Sequence, residues 1–491
     1  MLPTTNNPKK IIVVGGGLSG LVSSCLLAKA GYAVVLVEKE QEVGGCLQNF
    51  CRRGYRFETG MHYFGAMGSG EFLSRLFRYL EVLDKVEFSL YKDTVFDRIS
   101  IGGNCYDFCS GFDLFEETFT RYFPNEKEAI SNYISTMKSV VAATYSSLSD
   151  ADLSGKFLHS ISFDEYYRSL TSDKQLQKVL MANRFLYAGI EGKTPAYTAL
   201  QINGSLISSA CRIVGGGSLL ALALRDTLLQ YGGEVICGAE VVEFVSVKNR
   251  ISELVLKNGN RLKADYFISS LNPRTTLSLV HSDYIRPVYR YRIEQMGDTI
   301  SSFSAYIVFK PNRVKHLDYN LFLSDNLDGF SINEKKFSDF PQSIFYRSQP
   351  SGVDSVYAAS AEAISTMPFE WVDKWKDMPQ GKRGVDYEEF KRKAALQIIA
   401  KLSKEIPEIE DSIEAIYTSS PLSWLSYTAS PRGSMYGLAH DCRDISSNII
   451  SPRTKLENLL LTGQSLMSHG MLGTAVSGVL TARCISPNIE F

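Results

Sequence analysis

At 491 residues, with 44% hydrophobic and 21% charged side chains, the chain is long enough for two or three compact units and has the make-up of an ordinary soluble enzyme. Its 52 basic and 53 acidic residues nearly cancel, to a net charge of −1. That excludes the overall positive field of a nucleic-acid binder, and no nucleic-acid partner is expected.

Ile11 to Val14 (IIVV) is a short β-branched run of the kind that forms a strand buried on both faces. The glycines Gly15-x-Gly17-x-x-Gly20 follow at once, then a helical stretch over 21–31 that Gly31 stops, then a strand from Ala33 to Val37 ending at Glu38. In this order the parts make a Rossmann-type βαβ unit. Gly15 permits the tight turn, Gly17 lets backbone approach a pyrophosphate, and Gly20 brings helix and strand together. The helix start, with Leu18 and Ser19, offers free amides to phosphate. Glu38 is placed to accept from a ribose diol and, as an anion, disfavours the 2′-phosphate of NADP. Lys39 completes this first group of cofactor-binding candidates.

Further along, 113–147, 163–189 and 386–405 have the apolar spacing of helices. Residues 215–235 read as helix then strand, and 239–273 as a hairpin-rich sheet closing on a strand from Tyr266 to Ser269. Within 215–219, GGGSL could be a second dinucleotide loop, but no clear strand precedes it and Leu220 stands where a third glycine belongs. Residues 301–309 and 355–360 read as strands of a mixed sheet flooring a pocket. The aromatics Phe112, Phe115, Phe119, Tyr122, Phe123, Tyr133, Tyr166, Tyr167, Phe185 and Tyr187 suit helix core for the most part, with an apolar tunnel as the functional alternative.

The pair Gly44–Gly45, six residues after Glu38, resembles the extended FAD motif of the flavoprotein amine oxidase and phytoene desaturase superfamily. From there, GGCLQNFCRRGYRFETGMHYFGAMGSGE (44–71) resembles the retinol saturases, the all-trans-retinol 13,14-reductase group, sisters of the carotenoid isomerases and phytoene desaturases. YTASPRGSMYGLAHD (427–441) and LLLTGQSLMSHGMLGTAVSG (459–478) resemble two further blocks of that group. The resemblance implies an α/β fold: a discontinuous FAD-binding domain over 1–80, 205–280 and 441–491, and an α+β substrate cap over 81–204 and 281–440. It implies FAD contacts from Gly44, Gly45, Cys46, Met61 and His62. Val241 would touch adenine through its backbone, and Gly463, Gln464, Met471, Leu472 and Gly473 would meet the flavin. Gln464 replaces the acid usual in the wider superfamily.

The implied activity is FAD-dependent saturation of a C=C bond in a hydrophobic polyene or isoprenoid lipid. Desaturation or redox-neutral isomerisation of a carotenoid-like chain is the alternative, with amine oxidation and a non-catalytic flavin carrier behind it; the amine oxidase signature GGR is GGC here. Saturation needs a hydride at one carbon and a proton at its neighbour. His62, Tyr63, Tyr436 and His469 are the candidate proton donors, the two histidines foremost. Nine scattered cysteines and no secretory signal suit reduced thiols in a cytoplasmic protein. Their spacing and that of six histidines give no metal site. No apolar run reaches the ~18 residues of a membrane span, though peripheral membrane contact is compatible with the sequence.

Overall fold

The strand Lys10–Val14 is central to a five-stranded parallel sheet and is buried along Ile11–Val14. Across the sheet the order is Leu459–Leu461, Tyr266–Ser269, Lys10–Val14, Ala33–Val37, Glu234–Ile236. The order reverses between Lys10–Val14 and Tyr266–Ser269. Such a switch point opens a crevice at the carboxyl ends of the strands, where Gly15 begins the glycine turn. These are the coordinates of a computed structural model, which describes residues 8–146, 156–324, 336–352, 355–444 and 449–491.

The helix Leu18–Lys29 is buried on nearly every side, between the sheet and the helices Gly217–Gln230 and Gly470–Ile485. Its crossing with the last of these is close because Gly478 has no side chain: a Cβ there would lie 2.9 Å from the Ser19 carbonyl. On the other face of the sheet sits a small antiparallel sheet of Val241–Val247, Arg250–Leu256 and Arg261–Leu262.

A second large sheet has seven strands, in the order Ile413–Ser419, Ser301–Phe309, Ala358–Met367, Ser343–Pro350, Asn320–Ser324, Val95–Ile101, Asn104–Cys109. One side packs on the helix Val385–Leu402, and part of the other on a helical layer from Phe112 to Ser209. The strand expected at 355–360 begins only at Ala358 and continues to Met367. Its sequence, AASAEAISTM, has few of the bulky residues that mark strands, Ile364 among them; a strand enclosed on both faces has room for small ones.

Other expectations need correction. The helix over 113–147 is two, Phe112–Tyr122 and Lys127–Ser146, broken at Pro124; residue 147 lies outside the described residues. The stretch 163–189 is three short pieces, Phe163–Leu170, Lys174–Leu180 and Arg184–Tyr187; the second is capped by the Asp173 side chain, which accepts from Leu176 N. The helix Ala196–Ser209 runs across 204/205, where the sequence places a division between FAD and cap segments. A strand, Cys211–Ile213, does precede GGGSL, but it pairs with Phe88–Leu90 outside the parallel sheet. The Gly217 amide is taken by the Glu58 carboxylate, and a Cβ on Gly216 would strike that same group. This loop has no room for a phosphate.

Candidate functional site

Two glycine turns meet at the crevice. Gly44 N donates to Gly16 O at 2.8 Å, and a Cβ on Gly45 would lie 3.3 Å from Gly17 Cα. A Cβ on Gly17 would meet nothing, so that position faces open space. The first intrahelical bond of Leu18–Lys29 runs from Leu21 N to Gly17 O, leaving the amides of Leu18, Ser19 and Gly20 as unpaired donors at the positive helix end. The helix Gly470–Ile485 also starts here, with Gly470, Met471 and Thr474 on the wall. Glu38 is buried and accepts from the amides of Gly16 at 2.6 Å and Glu40 at 2.9 Å. These amides hold its carboxylate on the wall of the crevice.

One cavity of about 1030 Å³ extends from these turns to the seven-stranded sheet. Of the candidate cofactor residues, Gly15, Gly17, Leu18, Ser19, Glu38, Lys39, Gly44, Gly45, Cys46, Met61, His62, Val241, Gly463, Gln464 and Met471 line it. Gly20, Leu472 and Gly473 do not. A Cβ at Gly20 would lie 2.1 Å from Gly15 O and one at Gly473 2.3 Å from Ser468 O, so both serve close packing, and Leu472 belongs to the core. Gln464 turns its amide to Met435 O at 3.2 Å. Burial raises the Cys46 thiol to about 11, which keeps it protonated.

The four proton-donor candidates separate. Tyr63 is off the wall: its hydroxyl donates to the buried Asp97 at 2.7 Å, and burial lifts both groups, Asp97 to about 7. His469 is also off the wall, packed between Tyr436 and His440 with Nε2 3.2 Å from Leu438 O. Burial lowers it to about 4, so it is neutral near pH 7 and cannot supply a proton as an imidazolium. Tyr436 does line the cavity, but burial raises its hydroxyl well above the ordinary value.

His62 remains. It follows the strand Tyr55–Glu58 and precedes a two-way backbone bridge between Phe64 and Cys211, which fixes the intervening turn. Arg347 Nη1 donates to the His62 carbonyl at 2.8 Å. The ring packs on Phe345, and Nδ1 lies 2.8 Å from Oε2 of Glu362, at ion-pair distance although not aligned as a hydrogen bond. Glu362 is wholly buried on Ala358–Met367, between Tyr306 and Arg347 in register, and its other oxygen accepts from Glu58 N at 2.6 Å. The Glu58 side chain rises to about 7, through burial first and the Glu362 charge second. With Nδ1 turned to Glu362, Nε2 is the nitrogen left for the cavity.

Sequence reasoning missed Glu362, Glu58 and Arg347. A lone acid in a run of small residues was the available signal for the first. It also missed the apolar wall. Of the ten cap aromatics singled out, only Phe185 lines the cavity; nearly all the others pack in or against the helical core, where Phe115 and Phe119 stack at 4.1 Å. Besides Phe185, the aromatic rings on the wall are Phe50, Tyr306, Tyr387, Tyr417, Trp424, Tyr427 and Tyr436.

Residues 13–80 match the model of the NAD(P)-binding Rossmann-like domain. Over 527 residues the chain is 26% identical to the all-trans-retinol 13,14-reductase of Rattus norvegicus, covering 97% of this chain and 86% of the relative. It is 22% identical to the chloroplastic prolycopene isomerase 2 of an Oncidium hybrid cultivar, over 98% of this chain and 84% of the relative. A solved putrescine oxidase with putrescine bound superposes with a TM-score of 0.66 at 16% identity, over 98% of this chain and 99% of that one, and so shares the fold. No helix among the described residues is long and apolar enough to cross a membrane.

Proposed function

We propose that this chain, an oxidoreductase related over nearly its whole length to the all-trans-retinol 13,14-reductases, binds FAD and saturates a C=C bond of a hydrophobic polyene. One observation carries the reading: a single cavity is walled at one end by dinucleotide-binding turns and at the other by aromatic and aliphatic side chains. The residues fit the cofactor: open space at Gly17, two helix starts for phosphate and flavin, and a buried carboxylate for ribose. Bound flavin supplies two-electron, hydride-level chemistry.

The chain's own part is to bind, exclude water and hold a proton. Phe185, Tyr306, Ile364, Tyr417 and Trp424 give a conjugated chain an apolar surface. His62 holds a proton on Nε2 at the wall, and Glu362, 2.8 Å from Nδ1, fixes the ring. When that proton passes to the alkene carbon beside the one receiving hydride, a proton from solvent replaces it on Nε2.

The test is anaerobic incubation of the dithionite-reduced, FAD-loaded protein with all-trans-retinol, followed by mass analysis. A gain of two hydrogens is expected. Unchanged mass with altered double-bond geometry would replace the reading by isomerisation. Loss of two hydrogens from the polyene under oxidising conditions would replace it by desaturation.

A further inference from the structure

Arg383 is 8% exposed, stands on the cavity wall, and among the described residues has no carboxylate partner. Its Nη2 donates to Ser426 Oγ at 3.1 Å, the guanidinium lies 5.4 Å from the Tyr387 ring centroid, and Nε is buried without a partner. Of the other cations on the wall, Lys391 pairs with Glu388 and Arg52 is exposed, while Lys39 lies 3.4 Å from the partly exposed Glu40, a loose contact that leaves it able to meet a second anion. A guanidinium withdrawn from water without a counter-charge is strongly unfavourable, so a buried one facing a cavity marks the place of an anion.

Its position identifies the anion. Lys39 Nζ donates to the carbonyl of the same Ser426 at 3.1 Å, so both cations converge on one residue of the helix Pro421–Thr428. That helix lies against the second glycine turn: a Cβ on Gly60 would be 2.9 Å from Trp424 and 3.4 Å from Cys46. Lys39 directly follows the Glu38 carboxylate on the same wall. Neither glycine turn, Gly15–Gly20 or Gly44–Leu47, contains a basic residue. The turns therefore offer a dinucleotide's two phosphate charges amides and the Ser19 hydroxyl but no positive side chain.

We propose that Arg383 and Lys39 form a cationic clamp on the diphosphate of the bound dinucleotide, so that the cap holds the cofactor as well as the substrate. The proposal rests on the FAD reading above. The guanidinium fork suits paired phosphate oxygens, which a lysine at the same place cannot match.

The test is titration of cofactor-free full-length protein with FAD, followed by flavin fluorescence, for the wild type, Arg383→Gln, Arg383→Lys and Lys39→Gln. Riboflavin, which lacks phosphate, is titrated in parallel. Arg383→Gln is expected to raise the FAD Kd tenfold or more, Arg383→Lys to recover part of that, and Lys39→Gln to give a smaller rise. Riboflavin affinity and the melting temperature of the cofactor-free protein stay level. Should Arg383→Gln fail to fold, Arg383→Lys and Lys39→Gln carry the same test. A wild type that takes up FAD while the variants match it overturns the clamp and leaves the FAD reading standing. A wild type that takes up no FAD overturns both.

Discussion

The two ends of the cavity are built by opposite means. The end at the glycine turns is chiefly backbone: two glycine turns, two helix starts and a carboxylate, of which the turns, one helix start and the carboxylate lie inside the segment from Gly15 to Leu47. The cap end is side chains brought from afar, with Phe185, Tyr306, Ile364, Tyr417 and Trp424 on four separate elements and a short 3₁₀ turn. Backbone sites tolerate little change in residue type at a few positions. Side-chain sites tolerate change at most positions and concentrate the cost at a few well-packed ones.

That contrast can be broken by mutation. Gly17→Val adds bulk only to empty space, so the cofactor-free protein should melt as before. FAD affinity should fall by roughly a thousandfold, about 4 kcal/mol, in an equilibrium titration. Unchanged uptake would show that the turn does not meet phosphate. His62→Gln should lower turnover about a hundredfold, and Glu362→Gln somewhat less, both with FAD affinity kept. Full turnover in Glu362→Gln would remove the pair from proton delivery.

Acid titration sharpens the comparison at the junction between the two ends. Glu58 keeps its proton in the folded protein up to about pH 7, whereas its ordinary value is 4.5. The folded state therefore loses stability as pH rises from 4.5 to about 7, by roughly 3 kcal/mol. Asp97, raised from 3.8 to about 7, adds a slope of the same sign. Denaturant melts across that window should show the fall, and Glu58→Gln should remove its share; an equal slope in the variant would deny Glu58 the role. The smallest effect belongs to the apolar wall: Phe185→Ala should weaken polyene binding about tenfold and leave FAD binding alone. Loss of FAD in that variant would erase the division between the ends.

The same contrast governs what was legible in the sequence. The βαβ unit announces itself because its glycines, acid and strand lengths are set by local geometry over fewer than 40 residues. His62 was legible through its place in a glycine-rich segment. Glu362 was not, since its meaning lies in a contact across 300 residues of chain. Tyr63 and His469 misled for a related reason: neighbours in sequence face opposite ways, and His62 takes the cavity while Tyr63 turns to Asp97. Nor could periodicity sort the aromatics, because helix core and tunnel wall demand the same residue types.

The two helices whose starts meet at the crevice lie more than 400 residues apart in sequence, Leu18–Lys29 and Gly470–Ile485. A chain that has formed only its fingerprint turn still lacks the wall made by Gly463, Gly470 and Met471. The crevice is assembled only when these distant segments dock, which ties its completion to the tertiary fold and not to the local βαβ unit.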